Sequence, residues 1–158
     1  MLNAMQSLSQ EEQDLLLEAL PLVTVLIAGA DGKIDVSETS WAEKLTGIRS
    51  YSNEPELNDF YEKVHEDFSG KVSYLIKGLP AETKEATQAI SDKLARLNAV
   101  LPKLPQVMAA KLYKSLTSFA KHIARADGGV FKMWSISKEE QVLIDLPMIT
   151  PIDMPEEA

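Results

Sequence analysis

Three carboxylates crowd one glycine corner. Asp31, Asp35 and Glu38 fall within Asp31-Gly32-Lys33-Ile34-Asp35-Val36-Ser37-Glu38, directly after the largely apolar run Leu22–Ala30. Oxygen donors at this spacing around a tight turn suit a hard divalent cation, calcium or magnesium before any softer metal. Downstream, Ala124-Arg125-Ala126-Asp127-Gly128 repeats Ala28-Gly29-Ala30-Asp31-Gly32. The second copy continues with Ile136, Ser137 and Glu140 where the first has Ile34, Asp35 and Glu38, with Gly129–Trp134 inserted between. Calcium takes six or more oxygens, so one corner alone leaves the shell incomplete, and Asp127 and Glu140 are the natural donors to finish it. The candidate metal set is therefore Asp31, Asp35, Glu38, Asp127 and Glu140.

The first corner reproduces the second half of an EF-hand calcium loop, with the turn glycine and the terminal glutamate in place. The first half is missing, because Ile27 and Gly29 stand where ligand oxygens belong, and a normal EF-hand is excluded. A purely structural account of the same acids stays open beside the metal. Asp35 and Glu38 have capping-box spacing, acids in a first helical turn are favoured by the helix dipole, and Asp before Gly commonly accepts its own turn amide.

Other chemistry is thin. His65 and His122 sit on different expected helices with no zinc-ligand spacing, and read as surface or packing residues. No glycine-rich phosphate loop, nucleophile elbow or nucleophile–base motif is present. Lys111, Lys114, Lys121 and Arg125 form a basic stripe, read as a solvated face unless it docks an anionic partner. Phe131, Met133 and Trp134 belong to an apolar stretch, Val130–Trp134, that either folds onto the core as a lid or forms a protein-contact patch.

Helices must carry these groups. Ser9-Gln10-Glu11-Glu12 is a capping box that opens a helix at about Gln10, and Pro21 either kinks that helix or starts a second one. Leu22, Val23, Val25, Leu26 and Ile27 are apolar on every side, as in a helix enclosed by others. A helix bearing Trp41, Ala42 and Leu45 is expected to end near Gly47. Leu57, Phe60, Tyr61, Val64 and Phe68 recur at helical spacing, and Val72, Leu75 and Ile76 form a short helix stopped by Gly78 and Pro80. An amphipathic helix runs from Ala81 with Ile90, Leu97 and Leu101 inward, until Pro102 and Pro105 break it. Met108, Leu112, Leu116, Phe119 and Ile123 make the stripe of the helix leading to the second corner, and Ser137 caps a last short one. No segment alternates like a strand. The expected fold is all-α, a bundle of about seven or eight helices with an internal pseudo-twofold helix–turn–helix repeat. One domain spans residues 1–148, and 149–158 form a loosely held acidic tail.

A chain of 158 residues with 45% hydrophobic and 25% charged residues has enough interior for a real core. A net charge of −8 argues against nucleic acid as a partner, since phosphates require clustered cations. The absence of cysteine removes disulfides and thiolate chemistry. No signal peptide or transmembrane segment is expected, because Leu15–Ala30 contains Glu18 and Pro21 and is too short to span a bilayer. Cytoplasm is the default location, and peripheral membrane association stays open.

The two Asp-Gly corners, with Ile34–Glu38 and Ser137–Glu140 following them, resemble the tellurite-resistance TerB-like domains. The resemblance implies a compact helical fold with internal pseudo-symmetry, an acidic cluster proposed to hold a divalent cation, and an association with bacterial tellurite and chemical-stress response. It implies no enzymatic activity. The second copy departs from the family pattern, its Val130-Phe131-Lys132-Met133-Trp134 loop being long and apolar instead of short and polar. The expected function is a non-enzymatic accessory or scaffold domain with an unnamed protein partner. Two alternatives remain, a metal-dependent enzyme using the same carboxylates and an interaction module acting through Val130–Trp134.

Overall fold

Ser9 sets the start of the central element. Its hydroxyl accepts the Glu12 amide at 3.2 Å while the Glu12 carboxylate accepts the Ser9 amide at 3.0 Å, so two orphan donors of the helix start are satisfied reciprocally. In the computed structural model, which describes residues 1–34, 36–51, 54–125 and 138–156 (backbone alone at 138–140), a four-residue helix α1 (Leu2–Met5) precedes this cap and α2 (Gln10–Ala28) follows it.

Of the two readings of Pro21, the start of a second helix is overturned: α2 runs through it. Interior proline costs about 3 kcal/mol in an isolated helix. Here the loss is offset by burial, because Leu16 and every residue from Ala19 to Ala28 lie inside, with five other major helices laid around them. Thr24 is buried among them without cost, its hydroxyl donating to the Leu20 carbonyl at 2.8 Å.

Around α2 stand α3 (Val36–Arg49), α4 (Pro55–His65), α5 (Phe68–Lys77), α6 (Thr83–Ala95), the short α7 (Leu97–Val100) with a 3₁₀ turn at Leu101–Lys103, α8 (Gln106–Ala124) and α9 (Lys138–Leu143). The all-α expectation holds: the protein is helical, with no strand among the described residues. Glu82 caps α6, its two carboxylate oxygens accepting the Lys84 and Glu85 amides at 3.3 and 3.0 Å. The inward stripes read from sequence are the observed core: Leu57, Phe60, Tyr61, Val64 and Phe68, then Ile90, Leu97 and Leu101, then Leu112, Leu116, Phe119 and Ile123.

Four expectations need correction. The helix expected to carry Leu57 through Phe68 ends at His65, with Phe68 opening α5, and the one expected from Ala81 as far as Pro102 is interrupted at Arg96, between α6 and α7. Gly47 does not end α3, which continues to Arg49. The glycine serves packing instead: a Cβ there would lie 3.1 Å from the His65 ring, so its absence lets α3 close on α4, and Thr46 Oγ1 meets His65 Nδ1 at 2.8 Å. The loose tail does not begin at 149 either. Ile149 is 1% exposed, Ile152 packs against the core, and Asn98 clamps the backbone, accepting the Thr150 amide at 2.8 Å and donating to the Met148 carbonyl at 3.0 Å.

α2 and α8 are each 19 residues long, pack directly on one another, and each ends at an alanine three residues before its Asp-Gly, Asp31 or Asp127.

Candidate functional site

The end of α2 is built from small residues. Gly29 and Ala30 let the chain turn back closely, and a Cβ on Gly29 would come within 2.8 Å of Ile34 Cδ1 and 3.0 Å of the Val25 carbonyl. Gly32 takes a φ of +91°, which glycine adopts without the Cβ strain other residues meet. The turn is held by the Gly32 amide donating to the Gly29 carbonyl at 3.0 Å. Asp31 Oδ1 accepts the Lys33 amide at 3.0 Å, the local turn bond open to Asp before Gly.

The structure separates the two described acids of this corner. Asp31 is exposed, whereas Glu38, in the first turn of α3, is 1% exposed and lies inside. Asp35 and Asp127 lie outside the described residues, as do Phe131, Met133 and Trp134 and with them the lid-or-patch reading of Val130–Trp134. Glu140 falls on α9, but its side chain is outside the described set. What the fold does bring to Asp31 is α9 itself. A surface cleft of about 690 Å³ is bounded by Ala30 and Asp31, by Glu82, Thr83 and Lys84 at the start of α6, and by Val142 and Leu143 of α9. The helix that follows the second corner therefore stands across a cleft from the first corner, and Glu82 is an acidic neighbour that the repeat did not foreshadow.

Adjoining this cleft, with Thr83 and Thr87 in both linings, is an apolar cavity of about 240 Å³ lined by Val25, Leu26, Ile34, Ile76 and Ile90. It lies between the corner and the α5–α6 connection, and no titratable group lines it among the described residues.

The basic stripe on α8 is only in part a solvated face. Lys111 Nζ lies 2.8 Å from Glu56 Oε1 and 3.2 Å from Glu54 Oε2, tying α8 to the start of α4, and Lys121 Nζ lies 3.7 Å from Asp145. The hydrogen bond from Lys111 holds the Glu56 carboxyl below its ordinary value and in return raises Lys111, with Glu54 adding to the rise. Lys103, 2.7 Å from Glu12, lowers Glu12 in the same way. The lowered carboxyls contribute stability that is complete above the ordinary glutamate range and is lost as pH falls through their folded-state values; Lys111 contributes stability present below the ordinary lysine range and lost as pH rises through its raised value. These pairs are solvent-exposed, so the effect is small. The expected result is that thermal midpoints followed from about pH 6 down to about pH 3 fall less steeply for Lys111→Met than for the parent chain; identical slopes would show that the pair contributes nothing.

A constellation that sequence reasoning missed lies on the same face. Arg49, the last residue of α3, passes between α4 and α8, where its Nη1 donates to Tyr61 Oη at 2.9 Å, the Ser115 carbonyl at 2.9 Å and Ser115 Oγ at 3.0 Å, and its Nη2 donates to Ser118 Oγ at 2.9 Å. The guanidinium lies 5.6 Å from the Tyr61 ring centroid and 5.5 Å from that of Phe119. The only hint in the sequence was the stripe position of Lys111 and Lys114; nothing local marks Arg49, whose partners are 12 to 69 positions away.

Compared with protein-family models, with curated proteins and with solved structures, the chain matches none.

Proposed function

We propose that this chain is a non-enzymatic accessory or scaffold domain of the TerB-like kind, tuned by a divalent cation at its acidic corner and serving a tellurite or chemical-stress response through a protein partner. The observation that supports this reading is the placement of Asp31 on the rim of a cleft whose far side is α9, the helix after the second corner. A cation there would tie the two repeat units together. The donor set fits a hard cation in kind: Asp31 is exposed, only its Oδ1 is engaged by the protein among the described residues, and Glu82 supplies a second carboxylate on the same cleft. Asp35, Asp127 and Glu140 are the other proposed donors, with Glu38, the enclosed acid of the first corner, the fifth of the set read from sequence.

The test is thermal unfolding of metal-stripped protein with calcium, magnesium, manganese or zinc, alongside Asp31→Asn. The amide oxygen of Asn can still accept the Lys33 amide, so this change removes charge while keeping the turn. A cation that binds only the folded chain stabilises it by about 2.7 kcal/mol at a hundredfold excess over its dissociation constant. The expected result is a raised midpoint with one hard cation, lost in Asp31→Asn. No shift with any of the four would leave the acids as helix and turn caps and remove the cation from the proposal.

A further inference from the structure

We propose that the pocket between α3, α4 and α8 is a binding site for a phosphate monoester group, held by Arg49 and Lys114. The pocket has a volume of about 260 Å³ and is lined by Arg49, Tyr61, Ser115, Ser118 and Lys114, with Lys111 and Glu54 at its edge and Leu57 as part of its floor. This is below the usual size of a site for a drug-sized ligand and suits a small anion with a short organic stem.

The hydrogen-bond inventory has donors left over. Arg49 Nη1 is fully engaged, but Nη2 makes one bond, to Ser118, and Nε makes none among the described residues. Ser118 spends its own hydrogen on the Ser115 carbonyl at 3.2 Å. Tyr61 Oη and Ser115 Oγ are hydrogen-bonded to each other, and both accept from Arg49. One of those two hydroxyls must donate to the other, which leaves one hydroxyl hydrogen unspent whichever way the bond runs. Lys114, exposed on the same wall, brings three more donors.

Charge points the same way. Lys111 is taken by Glu54 and Glu56, whereas Arg49 and Lys114 have no carboxylate within salt-bridge distance among the described residues. A part-buried guanidinium whose neighbours are hydroxyls, a carbonyl and two aromatic faces is stabilised as a cation without being neutralised. Arg49, Lys111 and Lys114 against Glu54 and Glu56 leave one net positive charge around the pocket, and the two cations without a carboxylate are the pair that a phosphate monoester, with a charge of about −2 near pH 7, would meet. Donors on α3 and α8, with the Tyr61 hydroxyl of α4 beside them, line a volume, as tetrahedral oxygens require; a planar carboxylate needs only the guanidinium fork. The site is preformed, because the bonds to Tyr61, Ser115 and Ser118 already fix the Arg49 side chain.

The experiment titrates the full chain with glycerol 3-phosphate, inorganic phosphate and acetate at matched ionic strength, by calorimetry and by the Arg49 Nε–H resonance. Arg49→Lys and Lys114→Gln are the variants; Lys114 is exposed and its side chain makes no bond in the protein among the described residues, so its replacement leaves folding intact. We expect glycerol 3-phosphate to bind and to move the Arg49 resonance, acetate to bind at least tenfold more weakly, and Lys114→Gln to weaken the phosphate about tenfold. Vesicles of phosphatidylcholine with and without phosphatidic acid separate the sources: sedimentation with phosphatidic acid that glycerol 3-phosphate competes away assigns the group to a lipid headgroup, and binding in solution without sedimentation assigns a soluble ligand. An unmoved Arg49 resonance, acetate binding equal to phosphate, or unchanged affinity in Lys114→Gln would each overturn the proposal.

Discussion

Phe119→Ala is expected to cost about 3–5 kcal/mol of stability. Phe119 is fully buried on α8, the helix that packs along α2, so truncation removes its ring from the core and leaves a cavity that rigid neighbours fill poorly. The ring also lies under the Arg49 guanidinium at 5.5 Å. For a domain of this size, each kcal/mol moves the thermal midpoint by roughly 2–4 °C, so the variant should melt at least 6 °C lower. Phe119→Leu separates the contributions, since it keeps most of the volume and loses the cation–π contact, and should cost far less than the alanine variant. Denaturant unfolding with a shared slope checks both. A loss below about 1 kcal/mol for Phe119→Ala would mean that the Phe119 ring is not a packed part of the core.

Gly32→Val should be the next most damaging single change, at about 2–4 kcal/mol, the sum of backbone strain and a steric contact. A β-branched residue at a φ of +91° is strained whatever space it has. A Cβ at this position would in addition sit 2.8 Å from Thr83 Oγ1 at the start of α6. These parts can be told apart by repeating the change in a Thr83→Ala background. The contact part should be recovered there and the strain should remain. Full recovery would show that the turn tolerates a side chain and that Thr83 alone makes Gly32 necessary. Because Asp31 precedes this turn, the same variant is expected to disturb any cation binding at the corner more than a core truncation of equal cost.

Much of the architecture was readable in advance because it rests on periodicity and local chemistry. The Ser9–Glu12 capping box, the stop at Gly78, and the inward stripes of α4, α6 and α8 depend on residues within a turn or two of each other. Where reading failed, a distant partner had the decisive role. Of the two readings of Pro21, the start of a second helix fell because α2 runs through it, its Ala19–Ala28 half being buried, and Gly47 stayed inside α3 because His65 needed the room. The tail was anchored through Ile149 and Asn98, a residue about fifty positions upstream.

The candidate sites divide along the same line. Asp31 and Glu38 look alike in sequence, two acids of one corner, yet one faces water and the other is enclosed, a difference that only packing of α3 against its neighbours decides. Arg49 carries no motif at all. The sequence by itself determined the helical class, the Asp31-Gly32 corner and the inward stripes of the helices, since hydrophobic period and capping are local properties of the chain. Which acid is exposed, which cation is neutralised, and that Arg49 meets Tyr61, Ser115 and Ser118 were decided only by the tertiary structure, because burial and charge pairing depend on what other helices bring within a few ångströms.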